Sequence, residues 1–217
     1  MRAVSKTLLA RPGRLLAAAL SVLALAACSA LSPTATPARA FYALDSAALA
    51  APVPARPAAP TLVIHPPRAA AGFDSQRIIY VRENHKLEYF AHSEWIDPPA
   101  RMLGPLLVAA IEQTGAFSAV VLTPGAAGGD LRLDTEIVRL QHEFQSSPSR
   151  VRFTLRAYLI DDKTRRVLAW RQFEAAVDAA SDDPYSGVLA ANRAVQTVLQ
   201  QISAFCAETM ASATLAK

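Results

Sequence analysis

Apolar residues along the chain recur at two spacings, and the change between them marks the elements. From Thr61 onward a spacing of two dominates, the signature of half-buried strands. Thr61–His65 (TLVIH) predicts a short strand stopped by Pro66-Pro67. Gln76–Arg82 and Lys86–His92 predict a strand pair that turns near Glu83-Asn84-His85. Phe117–Leu122 predicts a further strand. In the next one Leu131, Leu133, Thr135 and Ile137 share a face, while Val138, Leu140 and Phe144 have the opposite parity, so a bulge is expected at Ile137-Val138. Arg150–Ile160 alternates with Val151, Phe153, Leu155, Ala157 and Leu159 inward, and Asp161–Thr164 turns it into a last strand, Arg165–Asp178. Helical spacing appears twice. Asp97-Pro98-Pro99 reads as an N-cap with prolines in the first turn, followed by Leu103, Leu106, Leu107, Ala110 and Ile111 and a stop at Gly115. Pro105 inside it predicts a kink or a later start. Asp183-Pro184 opens the second helix, whose Val188, Ala191, Val195, Val198, Ile202 and Phe205 lie three or four apart on one face.

This order predicts an α+β two-layer domain over residues 61–211, a mostly antiparallel sheet with two main helices packed on one face. About 150 residues suffice for a single core. Before it, residues 28–60 are rich in Pro and Ala and predict an extended tether. One apolar patch, Phe41-Tyr42-Ala43-Leu44-Asp45, predicts a short strand near 41–45 that docks on the domain.

The first 27 residues change the picture of charge. The chain of 217 residues carries 22 Lys and Arg against 18 Asp and Glu, a formal net charge of +4. Arg2, Lys6, Arg11 and Arg14 precede Leu15–Ala27, an apolar run of 13 residues. A membrane span needs about 20 residues to cross roughly 30 Å of hydrocarbon, so this run suits the core of a secretory signal peptide. It ends in Leu25-Ala26-Ala27-Cys28, which resembles a bacterial lipobox, with cleavage between Ala27 and Cys28 and lipidation of the Cys28 thiol. Ser29 follows where an Asp would favour inner-membrane retention, so the resemblance favours an outer-membrane, periplasm-facing anchor, with inner-membrane anchoring as the alternative. Cleavage removes four basic side chains and no acidic one, leaving 18 against 18. Outside the cytoplasm, nucleic acid is not an expected partner.

Catalytic signatures are sparse. No nucleophile elbow, P-loop, dinucleotide fingerprint or zinc-protease helix motif occurs. His65, His85, His92 and His142 show no metal-ligand spacing, so neither a metal nor a catalytic set is expected, and the covalent lipid on Cys28 is the sole expected non-protein group. Cys206, on the final helix, reads as a small buried hydrophobe. Two features remain as candidate partner-binding surfaces. One is aromatic: Tyr42, Tyr80, Tyr89, Phe90 and Trp95 combine apolar bulk with hydrogen-bonding groups, though alternation sends some of them into the core. The other is the basic segment Arg139–Arg171, where Arg150, Arg152 and Arg156 share the outward face of one strand. It reads either as a solvated face that discourages edge pairing or as a dock for an acidic partner or lipid headgroups.

The order of these features resembles one family over roughly Phe41 to Phe205. Phe41-Tyr42-Ala43-Leu44 follows the lipidated Cys, then come Arg77-Ile78-Ile79-Tyr80, Leu87-Glu88-Tyr89-Phe90 leading to Glu94-Trp95, a Pro-started helix, and Gly115-Ala116-Phe117-Ser118-Ala119-Val120. The chain is similar to the ABC-type transport auxiliary lipoproteins, whose genes accompany MCE-domain lipid transporters of Gram-negative envelopes. The resemblance implies a non-enzymatic periplasmic component that helps phospholipid pass between membranes, with an MCE-domain protein or ABC transporter subunits as partners. An outer-membrane assembly lipoprotein partnering a β-barrel is the alternative, and a periplasmic hydrolase a more distant one.

Overall fold

A computed structural model describes residues 38–45, 58–125 and 128–215, with side chains to 212. The expected signal peptide, Cys28 and most of the tether lie outside these residues. Among the described residues, nine strands and two helices follow in the order β1 (Ala40–Tyr42), β2 (Thr61–Ile64), β3 (Arg68–Ala69), β4 (Arg77–Val81), β5 (Glu88–Trp95), α1 (Pro99–Glu112), β6 (Ala119–Leu122), β7 (Leu131–Glu143), β8 (Arg150–Asp161), β9 (Val167–Asp178) and α2 (Pro184–Leu215).

The strands form one sheet built around β7. Its one side carries the long antiparallel β8, which in turn carries β9. Its other side carries three short strands end to end, all parallel to it: β2 opposite Leu131–Leu133, β3 opposite Glu136–Ile137 and β4 opposite His142–Glu143. β6 extends the sheet beyond β2 in parallel, β5 pairs antiparallel with β4, and β1 pairs parallel with β5. The sheet is therefore mixed, and the expectation of a mostly antiparallel one is corrected. Side-chain alternation has the same period in both pairings, so it carries no strand direction.

The parity change in β7 is a true bulge: Ile137 faces Leu155 and Arg139 faces Thr154, leaving Val138 as the extra residue. Leu131, Leu133, Ile137 and Leu140 all reach the same core as a result. Both helices cover this core. α1 lies against β2, β3 and β6, α2 lies against β7, β8 and β9, and the two helices touch. The inward residues of β8 and the stripe Val188, Ala191, Val195, Val198, Ile202 and Phe205 of α2 are buried together. At about 1.5–3 kcal/mol for each large apolar side chain, this seam supplies a large share of the stabilisation.

Both helix starts rely on proline, in different ways. α2 is capped by Asp183, whose carboxylate accepts the Ser186 amide at 3.0 Å. α1 is not capped by Asp97. Pro98 occupies the cap position and makes no side-chain cap bond, while Asp97 pairs with Arg101 at 3.0 Å. The expectation at Asp97 fails because two prolines with fixed φ already set the entry of the chain. α1 continues through Pro105 to Glu112, and Gly115, at a φ of 60°, turns the chain out of it. No helix of the described residues is long and apolar enough to cross a membrane.

Candidate functional site

The aromatic candidates separate by face. Trp95 is 3 % exposed and belongs to the core. The Tyr80 and Phe90 rings meet at 4.7 Å, tilted by 45°, and contact Phe144, whose ring lies 4.2 Å from that of His142. That cluster joins β4, β5 and the end of β7 and is half-buried to buried, so it braces the sheet. Tyr89 is exposed, with the Arg77 guanidinium 4.3 Å above its ring. Together with Ile79, Leu87, Gly72 and Asp74 they line an open groove of about 320 Å³. Tyr42 stands elsewhere, on β1, 6.3 Å from the ring of Tyr185 on α2.

His142 is buried where α2 begins. Its Nε2 lies 2.9 Å from the Ser149 hydroxyl, and its Nδ1 has no hydrogen-bond partner among the described residues. A Cβ at Gly187 would stand 2.6 Å from that Nδ1, so only glycine lets the first turn of α2 press on the ring. Burial pushes the His142 pKa down, and Asp182 and Asp183 push it up by less. A buried imidazole held neutral in this way is a packing element. Cys206 behaves similarly, its thiol pushed up to about 12 by burial alone.

The basic candidates lie together on the outer face of the sheet, each beside an acid from a neighbouring strand. Arg152 holds Glu143 through Nε at 2.9 Å and Nη2 at 3.1 Å, and also meets Glu174. Burial alone would raise the Glu143 pKa, but the Arg152 fork and the Gln141 amide outweigh it and hold the carboxylate low. Arg156 pairs with Glu136 at 3.5 Å and donates to Gln172 at 3.3 Å. Arg150 approaches Asp178 at 3.8 Å. Glu136, Glu174 and Asp178 fall outside the Arg139–Arg171 segment, so part of the local excess of charge along the chain is offset across strands. An exposed aromatic absent from the sequence-based candidates sits on the same face. Trp170 stacks on Tyr158 at 6.2 Å, and the register Tyr158↔Trp170 that joins them belongs to strand pairing. Among the described residues no group of His, Cys, Asp and Glu is arranged to hold a metal ion.

Comparison with known proteins agrees with this architecture. The family model of the ABC-type transport auxiliary lipoprotein component matches residues 42–203. A crystal structure of a protein from Xanthomonas campestris superposes with a TM-score of 0.71 at 24 % identity, covering 81 % of this chain and 99 % of that one. A second crystal structure, of an uncharacterized protein, gives a TM-score of 0.59 at 14 % identity, covering 79 % and 98 %. No curated protein matches the chain. The match of residues 42–203 spans most of the chain, and the chain belongs to the ABC-type transport auxiliary lipoprotein family.

Proposed function

We propose that this auxiliary lipoprotein is a non-enzymatic docking component of an MCE-type ABC system that moves phospholipid between the inner and outer membranes. The observation that carries this reading is the family match over residues 42–203, which takes in β2 to β9, all of α1 and the larger part of α2. Cys28 is the lipid anchor, Ala27–Cys28 the cleavage point, and the outer membrane the site of attachment. The partners are an MCE-domain protein or the ABC subunits themselves. The partner-binding surface is the groove around Tyr89, where apolar side chains and the Arg77 cation are both open to solvent. Such a mixture of aromatic, aliphatic and arginine groups suits a protein interface. Arg150, Arg152 and Arg156, already neutralised by their neighbours, serve mainly to hold β7, β8 and β9 in register.

Crosslinking of the tagged protein in membranes, followed by purification, tests the reading. An MCE-domain protein or ABC subunits should co-purify, and Tyr89→Ala together with Leu87→Ser should reduce their yield severalfold. Recovery of the protein alone, or with a β-barrel instead, would overturn it.

A further inference from the structure

Eight large hydrophobic side chains are exposed among the described residues, and four of them gather around one short strand. Phe41 of β1 is 53 % exposed, Ile96 at the end of β5 55 %, and Tyr185 and Leu189 of α2 57 % and 41 %. The backbone ties them together. β1 runs beside β5, with Phe41 opposite Glu94 and Tyr42 opposite Trp95, and the Ile96 amide donates to the Tyr42 carbonyl at 2.7 Å. On the helix side the Tyr42 and Tyr185 rings lie 6.3 Å apart, and Leu189 follows Tyr185 one turn along α2. Asn192, one turn further, receives the Asp45 amide at 2.8 Å and donates to the Ala43 carbonyl at 3.2 Å. Apolar groups thus project from both faces of β1 and from its end, forming a rim rather than a pocket.

We infer that this rim is the surface on which the domain rests against its own membrane, with Phe41, Ile96, Tyr185 and Leu189 at the level of the lipid headgroups. The inference builds on the reading of Cys28 as the lipid anchor. Eleven residues separate Cys28 from Ala40, the first residue of β1, so the strand stands at most about 40 Å from the lipidated end. Of the three clusters of exposed apolar residues, the rim is the one continuous with the tether. The others begin at Leu87 and at Val167. Tyrosine and aliphatic side chains at a polar boundary match the chemistry of the bilayer interface. Its charges are mixed. Arg39 pairs with Glu94 at 3.0 Å, Arg193 is exposed next to Leu189 along the helix, and Asp45, Asp182 and Asp183 stand near by in the chain. With both signs present, attraction to anionic lipid is weak, and the contact is made by apolar insertion held at high effective concentration by the anchor. The backbone edge of β1 needs hydration, which limits insertion to the headgroup region.

The test uses the full lipidated chain in phosphatidylethanolamine–phosphatidylglycerol vesicles containing brominated acyl chains. A bimane label on Leu189→Cys reports the rim, since Cys206 is buried and Cys28 carries the lipid. A label on Arg166→Cys, in the β8–β9 turn, reports the far end of the long strands, and Tyr185→Cys repeats the rim measurement at a second position. The two rim labels should be quenched at least threefold more strongly than the Arg166 label, with little change between low and high salt. Equal quenching at both ends, in protein that floats with the vesicles and incorporates palmitate, would overturn the inference while leaving the anchor intact. Concentration-dependent shielding of the rim labels without bromine quenching would assign the rim to a second copy of the chain and equally overturn it. Loss of palmitate incorporation and of flotation would instead remove the anchor, and the inference with it.

Discussion

At the scale of single residues, His142 and Gly187 act as one unit. Gly187→Ala drives a methyl group toward the ring, and overpacking of this kind costs about 1–3 kcal/mol. Gly128→Ala meets no heavy atom within 4 Å and should change stability by less than about 0.5 kcal/mol. Urea denaturation of the two variants against the parent checks the contrast. The same site sets a pH dependence. The folded-state pKa of His142 lies below its ordinary 6.5, so the folded chain binds fewer protons than the unfolded chain. This contribution is fully present above about pH 6.5 and is lost as the pH falls through the folded value. Asp183 acts in a separate window. Its hydrogen bonds from Ser181 and Ser186 lower its pKa from 3.8 to about 2, so its contribution is present above 3.8 and lost only below it. Between pH 7.5 and 5 the urea midpoint should therefore fall for the parent, and fall less for His142→Gln. An equal fall in both would locate the dependence elsewhere.

At the scale of elements, β7 decides most of the architecture. Val138 is the residue that lets Leu133 and Leu140 face the same side despite their odd separation. Deleting it would turn Leu140 and His142 to the outer face and unseat β4, so the variant should lose cooperative thermal unfolding. On the outer face, Arg152→Ala leaves Glu143 without its fork, and the side chain of Glu143 is only 11 % exposed. A loss of about 1–3 kcal/mol is expected, readable as a lowered urea midpoint. The bulge and the Asp183-Pro184 helix start were legible because each leaves a local mark, a parity change or a cap followed by proline. The parallel course of β2, β3 and β4 was not, since alternation is blind to direction. Nor was the neutralisation of Arg156, whose partners Glu136 and Gln172 lie on two other strands, outside any local window. Trp170 escaped for the same reason. Its ring is set by the strand register and not by its neighbours in sequence.

At the scale of the whole molecule, the sequence marks a charged, apolar N-terminus, a Pro-rich stretch and a domain, and the described residues contain that domain with one strand of the stretch laid along its edge. Cys28→Ala should abolish palmitate incorporation and shift the protein from the membrane to the soluble or precursor fraction. Unchanged labelling in that variant would remove the anchor from the account. The assignment of the exposed aromatics needed the three-dimensional fold, because Trp95 and Tyr89 lie on one strand and only a disturbed register between Arg77 and Ile79 sends one inward and leaves the other in solvent.

The attachment of β1 has a mechanical side. Any pull between an anchored Cys28 and the domain reaches the sheet first through β1, which is held to β5 by only three register pairs and to α2 through Asn192. The long β7–β8–β9 ladders lie behind it in the load path. A modest force would peel β1 away before it unfolds the core, and the leash would lengthen from about 40 Å to about 110 Å as the chain up to Thr61 pays out. With Cys28 lipidated as proposed, the strand would work as a latch with two lengths, one holding the domain close to the bilayer and one letting it reach farther across the envelope.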